Sequence, residues 1–187
     1  QAAQREPDER GVEDADPLLA RAGMDYRQID EAFLTPATPQ DNIDSPAVWR
    51  APNGRLWLLA TAKQGDGLVI YDGDRGDAVA RYGHPGEGPG EFRRPNGIAV
   101  FGDLAFVVER DNRRVQVLSL SLPSAPLNLP GIADTRTPQL RPLTAFGADR
   151  LQQPYGLWVR ALSADALEVI VTDAYMAGKD ANGDEIP

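Results

Sequence analysis

From residue 41 onward the chain alternates short apolar runs with polar or glycine-bearing breaks, and the runs recur in a fixed order. Between Gly83 and Leu118 a Gly/Pro-rich loop, Gly86 to Gly90, leads through Pro95-Asn96-Gly97 into the apolar run Ile98 to Phe101. Gly102-Asp103 then interrupts the pattern with the residues a two-residue hairpin turn needs, and a second run, Leu104 to Val108, follows. After the polar turn Glu109 to Arg113, Val115 and Val117 alternate with Gln116, the period-two pattern of a strand with unlike faces. Loop, strand, tight turn, strand, turn, strand is the layout of one blade of a β-propeller. The pattern therefore predicts an all-β fold.

The order recurs in segments that begin SPAVWRAPNGRLWLLAT at Ser45, RPNGIAVFGDLAFVVER at Arg94 and QPYGLWVRALSADALEVIVTD at Gln153. Their prolines, Pro46, Pro95 and Pro154, stand 49 and 59 residues apart, a spacing expected of blades with loop insertions. The first two units continue into a third strand, Gly67 to Tyr71 and Arg114 to Leu118; the third does not. The sequence thus reads as about three blades, near residues 43–82, 83–125 and 142–187, with Ser119 to Arg141 crossing from the second to the third. That is roughly half of a six-bladed propeller, its remaining blades coming from the rest of the chain or from a cleaved partner fragment. Residues 1–40 read as a flexible leader and linker: Gln1 to Pro17 is polar, Leu18, Leu19, Ala22 and Tyr26 allow a short helix, and Thr35 to Pro39 is linker-like.

Composition narrows the function classes. The 187 residues carry a formal charge of −9, which argues against a nucleic-acid backbone as the main partner, since that needs a basic face. Arg93, Arg94, Arg110, Arg113 and Arg114 still crowd one stretch, where forked guanidinium donors would suit a phosphate or carboxylate. No cysteine is present, so neither a disulfide nor a thiolate metal site exists. No apolar run approaches the ~20 residues that span a bilayer. The start at Gln1 suggests a processed, exported chain.

The stretch Gly83 to Leu118 resembles the NHL repeat, and three further segments look like the β-propeller phytases, calcium-dependent phosphohydrolases acting on myo-inositol hexakisphosphate. The family enters its first blade with Asp-Asp-Pro-Ala-hydrophobic-Trp; here the run is Asp44-Ser45-Pro46-Ala47-Val48-Trp49, with Ser45 in place of the second Asp. Its Thr-Asn-Lys-Lys-x-Gly-Leu element is similar to Thr61 to Leu68, with Lys63 at the cationic position, and its Asn-Asn-Val-Asp element to Asn96 to Ala99, with Ala99 in place of the Asp. The family's Ser-Asn/Glu-Arg element matches Glu109-Arg110, and its Tyr-Gly strand Tyr155-Gly156, with Lys179 the nearest lysine downstream. The resemblance implies a phosphate-binding set of Lys63, Arg110, Tyr155 and Lys179, with Asp44 and Glu109 as ligands of Ca²⁺. It implies a periplasmic or secreted bacterial protein acting on an inositol phosphate or related phosphomonoester. The alternative is a non-catalytic, exported NHL-type propeller that serves as a binding or assembly module.

Other candidates read more plainly. His84 is the only histidine and has no metal-ligand companion, so a Ser-His-Asp triad has no support. Asp180 to Glu185 and Asp72 to Asp77 read as acidic hairpin turns rather than calcium loops. Trp49, Trp57 and Trp158 recur at strand positions and read as core.

Overall fold

The computed structural model describes residues 30–124, 136–179, 181 and 185–186. The expected polar leader and the short helix near Leu18 to Tyr26 lie outside the described residues, as does most of the hairpin expected at Asp180 to Glu185. The described residues are all-β. Thr35–Pro187 is one compact unit, separate from Gln1–Leu34.

Four strands, β1 (Ile43–Arg50), β2 (Leu56–Ala62), β3 (Gly67–Asp72) and β4 (Ala78–Tyr82), form an antiparallel sheet in sequence order. A second sheet repeats the plan with β5 (Pro95–Phe101), β6 (Leu104–Glu109), β7 (Arg114–Ser121) and β8 (Gln139–Phe146). The third contains β9 (Pro154–Ser163) and β10 (Ala166–Asp173), and a two-residue ladder joins β11 (Gly178–Lys179) to β12 (Glu185–Ile186). Gln139–Phe146 pairs with β7, so the stretch from Ser119 to Arg141 connects strands within the second sheet. The sequence pattern had it crossing to the third. Pro142 sits in the outermost strand of that sheet, where a residue without an N–H is tolerated.

The first strands form a row, β1 packing on β5 and β5 on β9. Between the first and second sheets lies a core of Trp49, Trp57, Leu59, Leu68 and Ile70 against Phe92, Ile98, Val107 and Leu118. A further layer sets Phe106, Val108, Val115 and Val117 against Leu157, Val159, Val169 and Val171 of the third sheet. At about 25 cal/mol per Å² of apolar surface removed from water, these two layers are the main source of cohesion. Polar stitches fix the register between sheets. Trp49 Nε1 donates to Asp103 in the turn of the second sheet at 2.9 Å, and Arg94 N donates to Asp66 beyond β2 at 2.7 Å. Trp49 and Trp57 are core, as their pattern implied; Trp158 is instead 54% exposed, because it lies on the face of the third sheet that no other described sheet covers.

Candidate functional site

The three sheets are register-equivalent to the residue. Ile43 pairs with Ala62, Pro95 with Glu109 and Pro154 with Asp173; in each sheet the next pair skips one extra residue on the first strand. The resulting bulges hold Asp44-Ser45, Asn96-Gly97 and Tyr155-Gly156. The residue after each second strand donates its N–H to the residue just before the first strand: Lys63 to Asn42 O (3.2 Å), Arg110 to Arg94 O (3.1 Å) and Ala174 to Gln153 O (2.9 Å). Asn42 and Arg94 share the left-handed conformation (φ 46° and 48°), as do Asp66 and Arg113 at the ends of the four-residue turns that follow. Bulges re-aim side chains and recur beside functional sites.

Short contacts bring these bulges together at one end of the sheets. Thr61, fully buried, donates its hydroxyl to Asn96 O at 2.6 Å and accepts from Ser45 N at 3.1 Å, tying the first bulge to the second. Gly97 lies so close to β9 that a Cβ there would stand 2.8 Å from Tyr155 O and 3.0 Å from Gly156 Cα. Only glycine fits at that crossing, so the second bulge touches the third.

The structure thus gathers Asp44, Lys63, Arg110 and Tyr155 at one end. Lys63 Nζ lies 3.1 Å from Asp44 Oδ1, both side chains being largely buried. Arg110 is half-buried, its Nε 3.9 Å from Asp111 in its own turn. Tyr155 is exposed. Lys179 does not share the rung of Lys63 and Arg110: Ala174 holds that position, and Lys179 lies in β11, its side chain outside the described residues.

Asn96, a residue the candidate set omitted, holds the bulge position between Asp44 and Tyr155 and is 1% exposed. Neither its Nδ2 nor its Oδ1 meets a protein partner, and the same holds for the buried Asp44 Oδ2. A buried polar atom left unsatisfied costs about 1–3 kcal/mol, so three at adjoining bulges mark a place where hydrogen-bonding groups from outside the protein are in demand. The Pro-Asn-Gly string was the available signal, since it aligns with Pro154-Tyr155-Gly156.

Glu109 has another task. It is completely buried; Oε1 accepts from Arg114 Nε (2.6 Å) and Gln116 Nε2 (2.9 Å), and Oε2 from Asn112 Nδ2 and Arg93 N. Arg114 and Gln116 in turn hold the glycine-rich loop, through Gly88 O, Glu91 O and Gly90 N. Asp173, on the same rung of the third sheet, does similar work by accepting from Gln152 N and Gln153 N, each at 2.7 Å. Desolvation pushes the Asp173 carboxyl up, but these backbone donors with Tyr175 N outweigh it and hold the pKa below the usual value. The acceptor capacity of Glu109 is therefore spent on protein donors, and it does not fit as a ligand of Ca²⁺. Asp44 offers a single uncommitted oxygen. Among the described residues no three acidic or histidine side chains gather as a metal would require.

The arginine cluster also separates. Arg114 turns inward to Glu109, and Arg93 pairs with Glu87 at 3.0 Å on the surface. His84 sits in its loop against Pro85 O. Compared with known proteins, the chain matches no family model and no curated protein.

Proposed function

We propose that the three sheets are successive blades of a β-propeller, and that its bulge end binds a phosphorylated small molecule of the inositol-phosphate kind. The observation that carries this reading is the set of three equivalent bulges. They put Lys63 and Arg110 on one rung beside Asn96, Asp44 and Tyr155, with buried polar atoms that no protein group satisfies. Cations, an amide and a phenol are the donors that phosphate oxygens take. Export to the periplasm or beyond belongs to the same proposal, as does calcium-dependent release of phosphate of the phytase type. Phosphate release requires carboxylates in addition to Asp44, because Glu109 is engaged by Arg114 and Gln116.

That engagement favours a second reading, a non-catalytic propeller that binds its ligand without cleaving it. One experiment separates the two: inorganic phosphate released from myo-inositol hexakisphosphate, with Ca²⁺ and with chelator, alongside calorimetric binding of the same ligand. Ca²⁺-dependent release supports the phosphohydrolase. Binding without release supports the module, and neither binding nor release defeats the ligand reading.

A further inference from the structure

The polar atoms left unpaired at the bulge end are mostly acceptors. Asn96, 1% exposed, leaves both Oδ1 and Nδ2 without a partner, and Asp44 leaves Oδ2 without one in a buried position. An amide oxygen and a carboxylate oxygen both take donors, and of the three atoms only Nδ2 gives a proton. The two residues adjoin, because Thr61 Oγ1 donates to Asn96 O at 2.6 Å and accepts from Ser45 N, next in the chain to Asp44, at 3.1 Å. A phosphate dianion carries no donor and satisfies neither oxygen. A hydroxyl donates to either, and it can also accept from the amide N–H. Burial makes the difference count, since a polar group left unpaired in a low-dielectric setting costs far more than one at the surface.

The charge balance selects the same kind of ligand. Lys63 Nζ faces Asp44 at 3.1 Å and Arg110 Nε faces Asp111 at 3.9 Å, so each cation already has a counter-charge. Each phosphate monoester brings about −1.5 to −2 charges. A ring with six of them would set that charge against a chain whose own formal charge is −9, with both cations already matched. A single phosphate shared by Lys63 and Arg110 carries far less of this repulsion.

We infer that the bulge end takes a phosphate monoester of a polyol that keeps its other hydroxyls free, in preference to a fully phosphorylated ring. The phosphate takes its donors from Lys63 and Arg110. Neighbouring hydroxyls donate to Asp44 Oδ2 and Asn96 Oδ1, and one of them accepts from Asn96 Nδ2. Asn96 is then the residue that tells hydroxyl from phosphate. This class narrows the phosphorylated ligand proposed for the bulge end and depends on that ligand binding there.

The test is calorimetric titration of the chain with myo-inositol monophosphate, cyclohexyl phosphate, myo-inositol hexakisphosphate and inorganic phosphate. Cyclohexyl phosphate is the same ring and phosphate without the hydroxyls. The inositol monophosphate should bind at least about tenfold more tightly than each of the other three, since a site that hydrogen-bonds a hydroxyl discriminates against an analogue lacking it. In Asn96→Leu, which keeps the branched shape and removes the unpaired buried atoms, its advantage over cyclohexyl phosphate should fall to about twofold or less. A smaller advantage over any of the three on the unaltered chain overturns the hydroxyl preference while leaving a phosphate site standing, and so does an undiminished advantage in folded Asn96→Leu. Binding of none of the four overturns the phosphorylated ligand and the preference together. The comparison on the unaltered chain decides the question even where the variant does not fold.

Discussion

Replacing Glu109 by Gln keeps the volume and removes the charge on which four donors converge. Arg114, whose side chain is only 14% exposed, would face a neutral amide that brings its own N–H₂ donors into a crowded donor set. Breaking a buried ion pair by removing one partner costs about 3–5 kcal/mol. The loop from Gly86 to Glu91 is held through the same arginine, so its anchoring should fail together with the pair. For a domain of 5–15 kcal/mol total stability and a urea slope of about 2 kcal/mol/M, the midpoint should fall by roughly 1.5–2.5 M. Equilibrium urea denaturation followed by tryptophan fluorescence measures it, with and without Ca²⁺. A midpoint shift below about 0.3 M, or a loss that appears only when Ca²⁺ is present, would refute the assignment of Glu109 to structure and return it to metal binding.

Gly97→Ala places a methyl against Tyr155 O and the Gly156 backbone, which have little freedom to yield, so a loss of about 1–3 kcal/mol is expected. Differential scanning fluorimetry should show a fall of roughly 3–10 °C in Tm, and an unchanged Tm would mean that β5 and β9 do not cross closely. Asp41 is buried, and two hydrogen bonds from Arg81 outweigh its desolvation, so its carboxyl lies below the usual value. A lowered folded pKa contributes stability in full above the unfolded value near 3.9, and that contribution disappears as pH falls through the folded value. The urea midpoint should therefore be level from pH 7 to about 5 and fall below about 4.5. Asp41→Asn should lower the neutral plateau by about 2 kcal/mol and shrink the acid fall; an acid limb identical to that of the native chain would contradict the role given to this pair.

The repeat was legible because its punctuation is local: Pro95 and Pro154 open β5 and β9, Gly102-Asp103 stands at a hairpin, and the apolar runs have strand length. Pro46 misled by three residues, since it lies within β1 and Ile43 holds the position equivalent to Pro95 and Pro154. The outer strand β8 was not. Gln139–Phe146 is mostly exposed and contains Pro142, so it lacks the apolar run that marks the inner strands and was read with the third unit. Asp44, Lys63, Arg110 and Tyr155, singled out in the sequence, all lie on or beside a bulge. Lys179 was placed by resemblance, as the nearest lysine downstream of Tyr155-Gly156, and the hydrogen bond from Ala174 N to Gln153 O shows that Ala174 holds the rung of Lys63 and Arg110 in the third sheet. The fate of Glu109 was hidden for a different reason. Its donors come from positions 93, 112, 114 and 116, and only the folded sheet brings them to one carboxylate.

The most direct test of the account is a titration of the isotope-labelled chain with myo-inositol hexakisphosphate, read residue by residue through amide chemical shifts. Saturable shifts should centre on the three bulges and their turns, at Asp44 to Ser45, Thr61 to Asp66, Arg94 to Gly97, Arg110 to Arg113 and Tyr155 to Gly156, and should weaken in Lys63→Ala and Arg110→Ala. Shifts confined to other strand ends, or none at ligand concentrations up to the millimolar range, would contradict a ligand site at the bulge end.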